Sequence, residues 1–528
     1  VKDLLNKINK SRTMGVAAFI ISLSYFLSRL LGLFRDRLLA TNFGVTAQAD
    51  AYTAAFRVPD FIFTLIVSGA FATAFIPVFI GLIEKKKEGE AWVVANSILN
   101  ILLIVMGAVS VVAFIFTPQL IKLINPGFDA FRYGLTVNLT RIMLITPVLF
   151  VISSVFGSIQ QSFNRFLIYA MASVFYNIGI IIGILYFSKF FAAQPIYGVA
   201  YGVVAGCALQ AILQFVGALT TGYKYKFSFR FKDRNVIRII KLMIPRSIDL
   251  SIDQINWIIQ TAIATSLATG SLASYYYANN LKYVPVILFG AAMSTAFFPN
   301  MVRAAKSKDK SKLPAIIVRD LSLLMFLVIP SGFIAFVMRG YIVRILFGFA
   351  SQTTADTLGT LAGSIIASSM FFMVARIFYA LEDTKTPLAV SVAAVIFNTI
   401  LSIFISKSYG VAGLGLALTI TDTLELIVLM VLLKFKMGSY GLKSIVREGT
   451  KISLASLAMV IFMYVSVSYW LPLYKNNVGF MQLAPKFTLI CVVGLLIYYF
   501  AAKLLRVHEV HLVNKIVVKR YRRIFKHG

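Results

Sequence analysis

The chain has 528 residues, of which 59% are hydrophobic and only 13% charged, and its mean hydropathy is +0.85. Soluble domains carry about 25% charged residues, so a soluble globular protein is excluded and an all-α polytopic membrane protein is indicated. The net charge of +31 would suggest nucleic acid on a soluble chain. Here the Lys and Arg lie mainly between apolar runs, which is the positive-inside distribution, with attraction to anionic membrane lipids and no nucleic-acid partner.

The N-terminus, VKDLLNKINKSR before an apolar run, superficially resembles a signal peptide. No small-residue cleavage site follows and the run leads straight into Arg29, so it reads as a retained first helix. Apolar runs of about 20 residues or more lie near 14–34, 51–83, 91–116, 136–160, 167–191, 196–222, 240–268, 272–302, 315–337, 354–381, 387–406, 409–433, 450–471 and 485–505. They predict about fourteen transmembrane helices. Basic connections follow the second, sixth, eighth, twelfth and fourteenth runs, and the N-terminal segment is basic too. Both termini are therefore expected on the cytoplasmic side of the membrane.

The chain repeats itself. Tyr197-Gly198-Val199-Ala200 returns as Tyr409-Gly410-Val411-Ala412, preceded by Asn177 and Asn398 inside apolar runs. Thr73-Ala74-Phe75-Ile76-Pro77 returns as Thr295-Ala296-Phe297-Phe298-Pro299. An even number of spans separates the copies, so six helices recur in the same orientation, a construction of secondary transporters with the substrate site between the lobes. The expected organisation is a first lobe at 1–222, a basic linker at 223–239, a second lobe at 240–436, two additional helices at 437–506 and a basic tail at 507–528.

Charges inside the apolar runs are the candidate functional residues. A charge near the middle of a membrane helix costs roughly 2.5–3.5 kcal/mol on insertion scales, so it normally faces a partner or a water-filled cavity. The first run ends with Arg29, Arg35 and Asp36. The second has Asp50, Arg57 and Asp60 along one stripe, with Pro59 able to bend it. The seventh has Arg246, Asp249, Asp253, Asn256 and Gln260, spaced 3, 4, 3 and 4, the period of one helix face. The eighth holds Asn280 and Lys282. Arginines in a cavity suit an anion, because guanidinium grips phosphate oxygens bidentately and never deprotonates. The alternative is that these charges pair across helix ends and lock the lobes together. Asp422 and Glu425 could hold a cation or proton, or pair with an arginine. Arg376, Glu382 and Asp383 suggest a salt-bridged turn.

Cys207 and Cys491 lie far apart in apolar runs, and His508, His511 and His527 fall near the C-terminus. No metal cluster or cofactor is expected. No G-x-x-x-x-G-K-S/T loop, G-x-S-x-G elbow or H-E-x-x-H helix occurs, so a transporter without nucleotide hydrolysis is indicated rather than an enzyme.

The run Ser28-Arg29-Leu30-Leu31-Gly32-Leu33-Phe34-Arg35-Asp36, then Phe43-Gly44, Asp50-Ala51-Tyr52, Ala55-Phe56-Arg57-Val58-Pro59 and Gly69-Ala70-Phe71, closely resembles the MurJ (MviN) lipid II flippases of the MOP exporter superfamily. The match continues through Tyr276-Tyr277-Ala278, Phe347-Gly348-Phe349 and Asp383-Thr384-Lys385-Thr386-Pro387. The resemblance implies a cationic central cavity, a lipid-tail groove formed by the last two helices, and outward flipping of an undecaprenyl-pyrophosphate-linked peptidoglycan precursor across the bacterial cytoplasmic membrane by alternating access. It implies functional importance for Arg29, Arg35, Asp36 and Asp50, with Arg57 at a basic position, and makes cell-wall synthesis proteins candidate partners. Two departures stand out. Phe63 and Thr64 replace arginines of the second helix, and Asn280 and Tyr283 replace an Arg and a Glu of the eighth, where Lys282 restores one charge. Other lipid-linked oligosaccharides, and cation-coupled drug export, are the alternative functions.

Overall fold

The computed structural model describes residues 14–307, 312–349, 351–474, 477 and 479–510. The first thirteen residues and the basic tail from 511 lie outside the described residues, as do the side chains of Arg246, Asp249 and Asp253. Every described element is helical or irregular; no strand occurs among the described residues. That is the expected solution in lipid, where each backbone polar group must be satisfied within its own segment.

The chain forms two compact units, Val1–Ala273 and Ser274–Gly528. The first begins with α1 (Met14–Phe43), then α2 (Ala47–Ala55), α3 (Arg57–Ile66) and α4 (Ser68–Glu84). These are followed by α5 (Glu88–Ile115), α6 (Thr117–Ile124), α7 (Ala130–Met143), α8 (Thr146–Ser162), α9 (Phe166–Leu185), α10 (Ile196–Leu219) and α11 (Arg234–Thr265). α12 (Ser271–Pro285) crosses the boundary. The second unit continues with α13 (Ala292–Lys306), α14 (Lys312–Val337), α15 (Arg339–Phe347), α16 (Gln352–Ala380), α17 (Lys385–Met437), α18 (Leu442–Val465) and α19 (Phe480–Leu504).

Eleven segments among the described residues are long and apolar enough to cross a membrane. Against the expected fourteen, the differences lie in three places. α1 (30 residues) and α11 (32 residues) stand outside the eleven; α11 carries Arg234, Arg238 and Lys241 in its first turns and a polar stripe further on. α17 counts once, although its 53 residues break at Gly410.

That break falls on the repeated Tyr-Gly-Val-Ala sequence. Gly410 has φ +56° and ψ −141°, a conformation that L side chains rarely adopt. In the first copy, Gly198 stands in the first turn of α10, just after the connection from α9. The same four residues therefore mark the same corner twice. The other repeated sequence also sits in comparable surroundings. The span 47–84 is interrupted between α2, α3 and α4, and 271–306 is interrupted by a π-helical turn over Val286–Ala291 that directly follows Pro285.

Pro59 explains part of the first interruption. It has no N–H for the carbonyl of Ala55 four residues back, and the Thr140 hydroxyl of α7 donates to that carbonyl instead, at 3.4 Å. The core of the first unit is built on α4, where Phe71, Phe75 and Phe79 stack with ring centroids 5.0 and 5.1 Å apart. α11 packs on α3 and α4, so a helix that opens the second sequence repeat belongs by packing to the first unit. In the second unit α14 packs against α16 and α18, and the Tyr498 hydroxyl of α19 donates to the Phe326 carbonyl of α14 at 2.8 Å. The two C-terminal helices are thus fixed to α14.

Candidate functional site

The charges of the apolar runs separate into four groups. The first joins α1 to α9. Arg35 donates from Nε and Nη2 to Asp36 Oδ1 at 3.0 and 2.7 Å, and from Nη1 to Asn177 Oδ1 at 3.1 Å. Asn177 in turn donates to the Ser173 carbonyl at 2.9 Å and lies 3.3 Å from the Ser28 carbonyl and hydroxyl. Asp36 is buried. A buried carboxylate is tolerated only when paired and hydrogen-bonded, and the Arg35 fork meets that requirement. Arg29, two turns earlier on α1, is half-buried.

The second group is centred on Asp50, only 1% exposed. Its carboxylate accepts the backbone N–H groups of Gly270 at 2.7 Å and Ala273 at 2.8 Å, and lies 3.6 Å from Arg132 Nη1. Arg132 also donates to Asp129 at 2.7 Å, and Asp129 accepts the N–H of Arg132 as the cap of α7. Two backbone donors plus a guanidinium make Asp50 a pin between α2, α7 and the turn at 270.

The third group contains Arg57, 7% exposed, on the first turn of α3. Its guanidinium carbon stands 4.7 Å from the centroid of the Trp257 ring of α11. A cation over an indole face gains about 2 kcal/mol or more when desolvated. Asp60 lies one turn on along α3 and is within electrostatic reach of Arg57. Asn256, beside Trp257, is half-buried and Gln260, one turn on, is buried. The stripe expected on the seventh helix is therefore represented by Asn256 and Gln260.

The fourth group lies in the second unit. Lys282, 3% exposed, faces Asp422 at 3.4 Å. Asp422 also accepts the hydroxyls of Ser368 at 2.6 Å and of Ser364. Asn280, two residues before Lys282, is half-buried. Asn398, the repeat counterpart of Asn177, donates to the Thr421 hydroxyl at 3.3 Å. Glu425 accepts from the Ser391 hydroxyl at 2.7 Å. At the end of α16, Asp383 bonds Lys436 and caps Thr386, and Lys306 meets Glu382 at 3.0 Å, so this turn is ion-paired.

Chemically, the first unit presents guanidinium groups held by partners of defined geometry, and the second a lysine neutralised by a carboxylate. Guanidinium so placed can receive phosphate oxygens without losing its proton. No group of three or more His, Cys, Asp or Glu side chains suited to a metal occurs among the described residues.

The family model described as lipid II flippase MurJ matches residues 39–489. The chain belongs to the MurJ family. A probable lipid II flippase MurJ of Rhizobium tropici is 27% identical over 503 residues, covering 92% of this chain and 93% of that protein. One of Vibrio cholerae is 28% identical over 442 residues, covering 80% and 83%. The fold matches a solved lipid II flippase MurJ in an inward closed conformation with TM-score 0.74, at 24% identity over 91% of this chain and 99% of that one. It also matches an inward-facing MATE-family multidrug resistance transporter of the MOP superfamily, with TM-score 0.64 at 14% identity over 80% and 98%.

Within this MurJ-family chain, several partners escape a reading of the sequence. Arg132 precedes the apolar run begun at 136 and looks like a loop cation. Trp257 looks like apolar filling, although it flanks the polar stripe. Ser364 and Ser368 share a helix face at i, i+4, and that is their only local mark.

Proposed function

We propose that this chain flips a polyprenyl-pyrophosphate-linked peptidoglycan precursor, lipid II, from the inner to the outer leaflet of a bacterial cytoplasmic membrane by alternating access, with both termini cytoplasmic. The observation that carries the reading is the family match across residues 39–489. Arg29, Arg35 and Arg57 receive the anionic headgroup, with Asp36, Asn177 and Trp257 holding the guanidinium groups in position. Asn280 and Lys282 are the second lobe's candidate contacts for the headgroup, and Asp60, Asn256 and Gln260 are candidate cavity residues. Helices α18 and α19 hold the lipid tail.

The membrane potential supplies the drive. Moving one charge through it is worth about 2.3 kcal/mol per 100 mV, so a headgroup with roughly two negative charges gains about 4–5 kcal/mol per 100 mV on leaving a negative interior. The deciding experiment is a lipid II accessibility assay on reconstituted protein with Arg29→Ala and Arg57→Ala. Loss of flipping with the melting temperature retained supports the reading. Undiminished flipping in both variants rejects the role of these arginines, and no flipping by the wild-type chain rejects the substrate.

A further inference from the structure

Between α10 and α11 the chain runs Tyr223-Lys224-Tyr225-Lys226-Phe227-Ser228-Phe229-Arg230-Phe231-Lys232. Residues 223–230 form no regular secondary structure, yet they are fixed. Asn96 Nδ2 donates to the Lys224 carbonyl at 3.2 Å and Asn100 Nδ2 to the Ser228 carbonyl at 2.9 Å. The Ser97 and Ser228 hydroxyls meet at 2.8 Å, the Tyr225 hydroxyl donates to Asn100 Oδ1 at 3.0 Å, and that of Tyr223 to Asn96 Oδ1. Three polar side chains on one face of α5 thus hold the linker by both backbone and side chains.

What the ladder displays is unusual for a connection. Phe227 is 78% exposed and Phe231 51%, with Tyr225 and Phe229 also exposed. Lys226, Arg230 and Lys232 stand between them, exposed, and make no ion pair among the described residues. Acidic residues are nearly absent. From Lys224 to Lys241 the sequence has seven basic residues and one acidic residue, Asp233. Asp233 is used internally, accepting the N–H groups of Asn235 and Val236 as the cap of α11.

The helix that carries the ladder sets its depth. α5 has 28 residues, which is about 42 Å at 1.5 Å per residue, against a hydrocarbon core of about 30 Å. An upright helix of this length leaves roughly eight residues outside the hydrocarbon. The polar end, with Glu88 and Glu90, is the end that can do so, which puts Asn96, Ser97 and Asn100, and the strip they hold, at the edge of the hydrocarbon. Aromatic rings beside basic groups at this level match the chemistry of a phospholipid headgroup layer, apolar just below and anionic at the surface. Exposed aromatic rings would otherwise sit in water with nothing to gain.

We propose that residues 224–232 are a binding strip for anionic phospholipid headgroups. The phenyl rings insert at the interface, and Lys226, Arg230 and Lys232 take the phosphates. The ladder to α5 matters because it holds the strip in its binding form before the lipid arrives, so little ordering entropy is lost. The strip lies in the linker between the two sequence repeats, and its occupant belongs to the surrounding leaflet rather than to the transported substrate.

The test uses the full chain in nanodiscs of phosphatidylcholine alone and of phosphatidylcholine with phosphatidylglycerol, followed by hydrogen exchange of a peptide covering 224–232. Exchange at least fivefold slower with phosphatidylglycerol, and a loss of that difference near 1 M salt, is the expected result. The triple variant Lys226→Gln, Arg230→Gln, Lys232→Gln should abolish the difference while keeping the wild-type melting temperature. Phe227→Ser with Phe231→Ser should reduce protection in both lipids. Equal exchange in the two lipids, or a difference that survives the triple variant, overturns the proposal. Because flipping is not read, failure here is separate from failure of the flippase assignment.

Discussion

Arg35 Nη1 donates to Asn177 Oδ1 at 3.1 Å across 142 residues of sequence. The same guanidinium grips Asp36, so one arginine ties α1 to α9 while neutralising a buried carboxylate. A hydrogen bond to a charged group contributes about 1.5–3 kcal/mol, and leaving its partner unsatisfied costs more than the bond itself gains. Asn177→Ala should lower the melting temperature of the purified protein. Combined with Arg35→Ala it should cost less than the two single changes added together, the signature of a direct coupling. Additive effects would show that the contact carries no energy.

The Lys282–Asp422 pair gives a sharper asymmetry. Breaking a buried ion pair from one side strands a charge and costs about 3–5 kcal/mol, whereas replacing both partners is far milder. Lys282→Met and Asp422→Asn should each destabilise strongly, and the double change should recover most of the loss in melting temperature. Ser364 and Ser368 can still bond the amide, which favours that recovery. A double variant as unstable as the worse single one would refute the pairing.

Gly179 and Gly206 bring α9 and α10 into backbone contact. A Cβ at Gly179 would lie 2.2 Å from the Cα of Gly206. Small residues at such crossings let helices approach where lipid offers no hydrophobic drive for association. Gly179→Ala should therefore lower the melting temperature. Gly107→Ala on α5, where nothing lies within 4 Å, should instead stabilise by roughly 0.5–1 kcal/mol through helix propensity. Equal effects at the two positions would contradict this account.

Asp383 lies between two spans, and its pH response has a defined sign. Burial pushes its carboxyl up, but Lys436 and the N–H and hydroxyl of Thr386 outweigh burial and hold it at about 2, below the ordinary value of 3.8. A carboxyl depressed on folding contributes stability above its unfolded pKa and loses it as pH falls through its folded pKa. The gap in melting temperature between wild type and Asp383→Asn should be constant near pH 6 and close between about pH 4 and pH 2. In a Lys436→Met background that gap should be smaller. A gap unchanged at pH 2 would show that the charge of Asp383 contributes nothing to stability.

Much of this protein follows from local sequence. Runs of about 20 apolar residues must become helices in lipid, because no other open structure satisfies their backbone there. Every run read from the sequence overlaps a helical segment. The repeated Tyr-Gly-Val-Ala sequence marked the corners at Gly198 and Gly410, because a sharp corner demands particular residues wherever it recurs. Family membership was legible for a similar reason: the Ser28–Asp36 and Asp50–Pro59 sequences are compact local patterns.

The partners of the charges were decided only by the tertiary structure. Nothing near Asp50 in sequence announces the N–H groups of Gly270 and Ala273, and nothing near Lys282 announces Asp422. Helix periodicity says which face a charge occupies, but not which of the other helices meets that face. The grouping of α11 with α3 and α4 has the same origin. A repeat records how the sequence was built, whereas compactness is set by the side chains that interdigitate, and Trp257 over Arg57 is one of them.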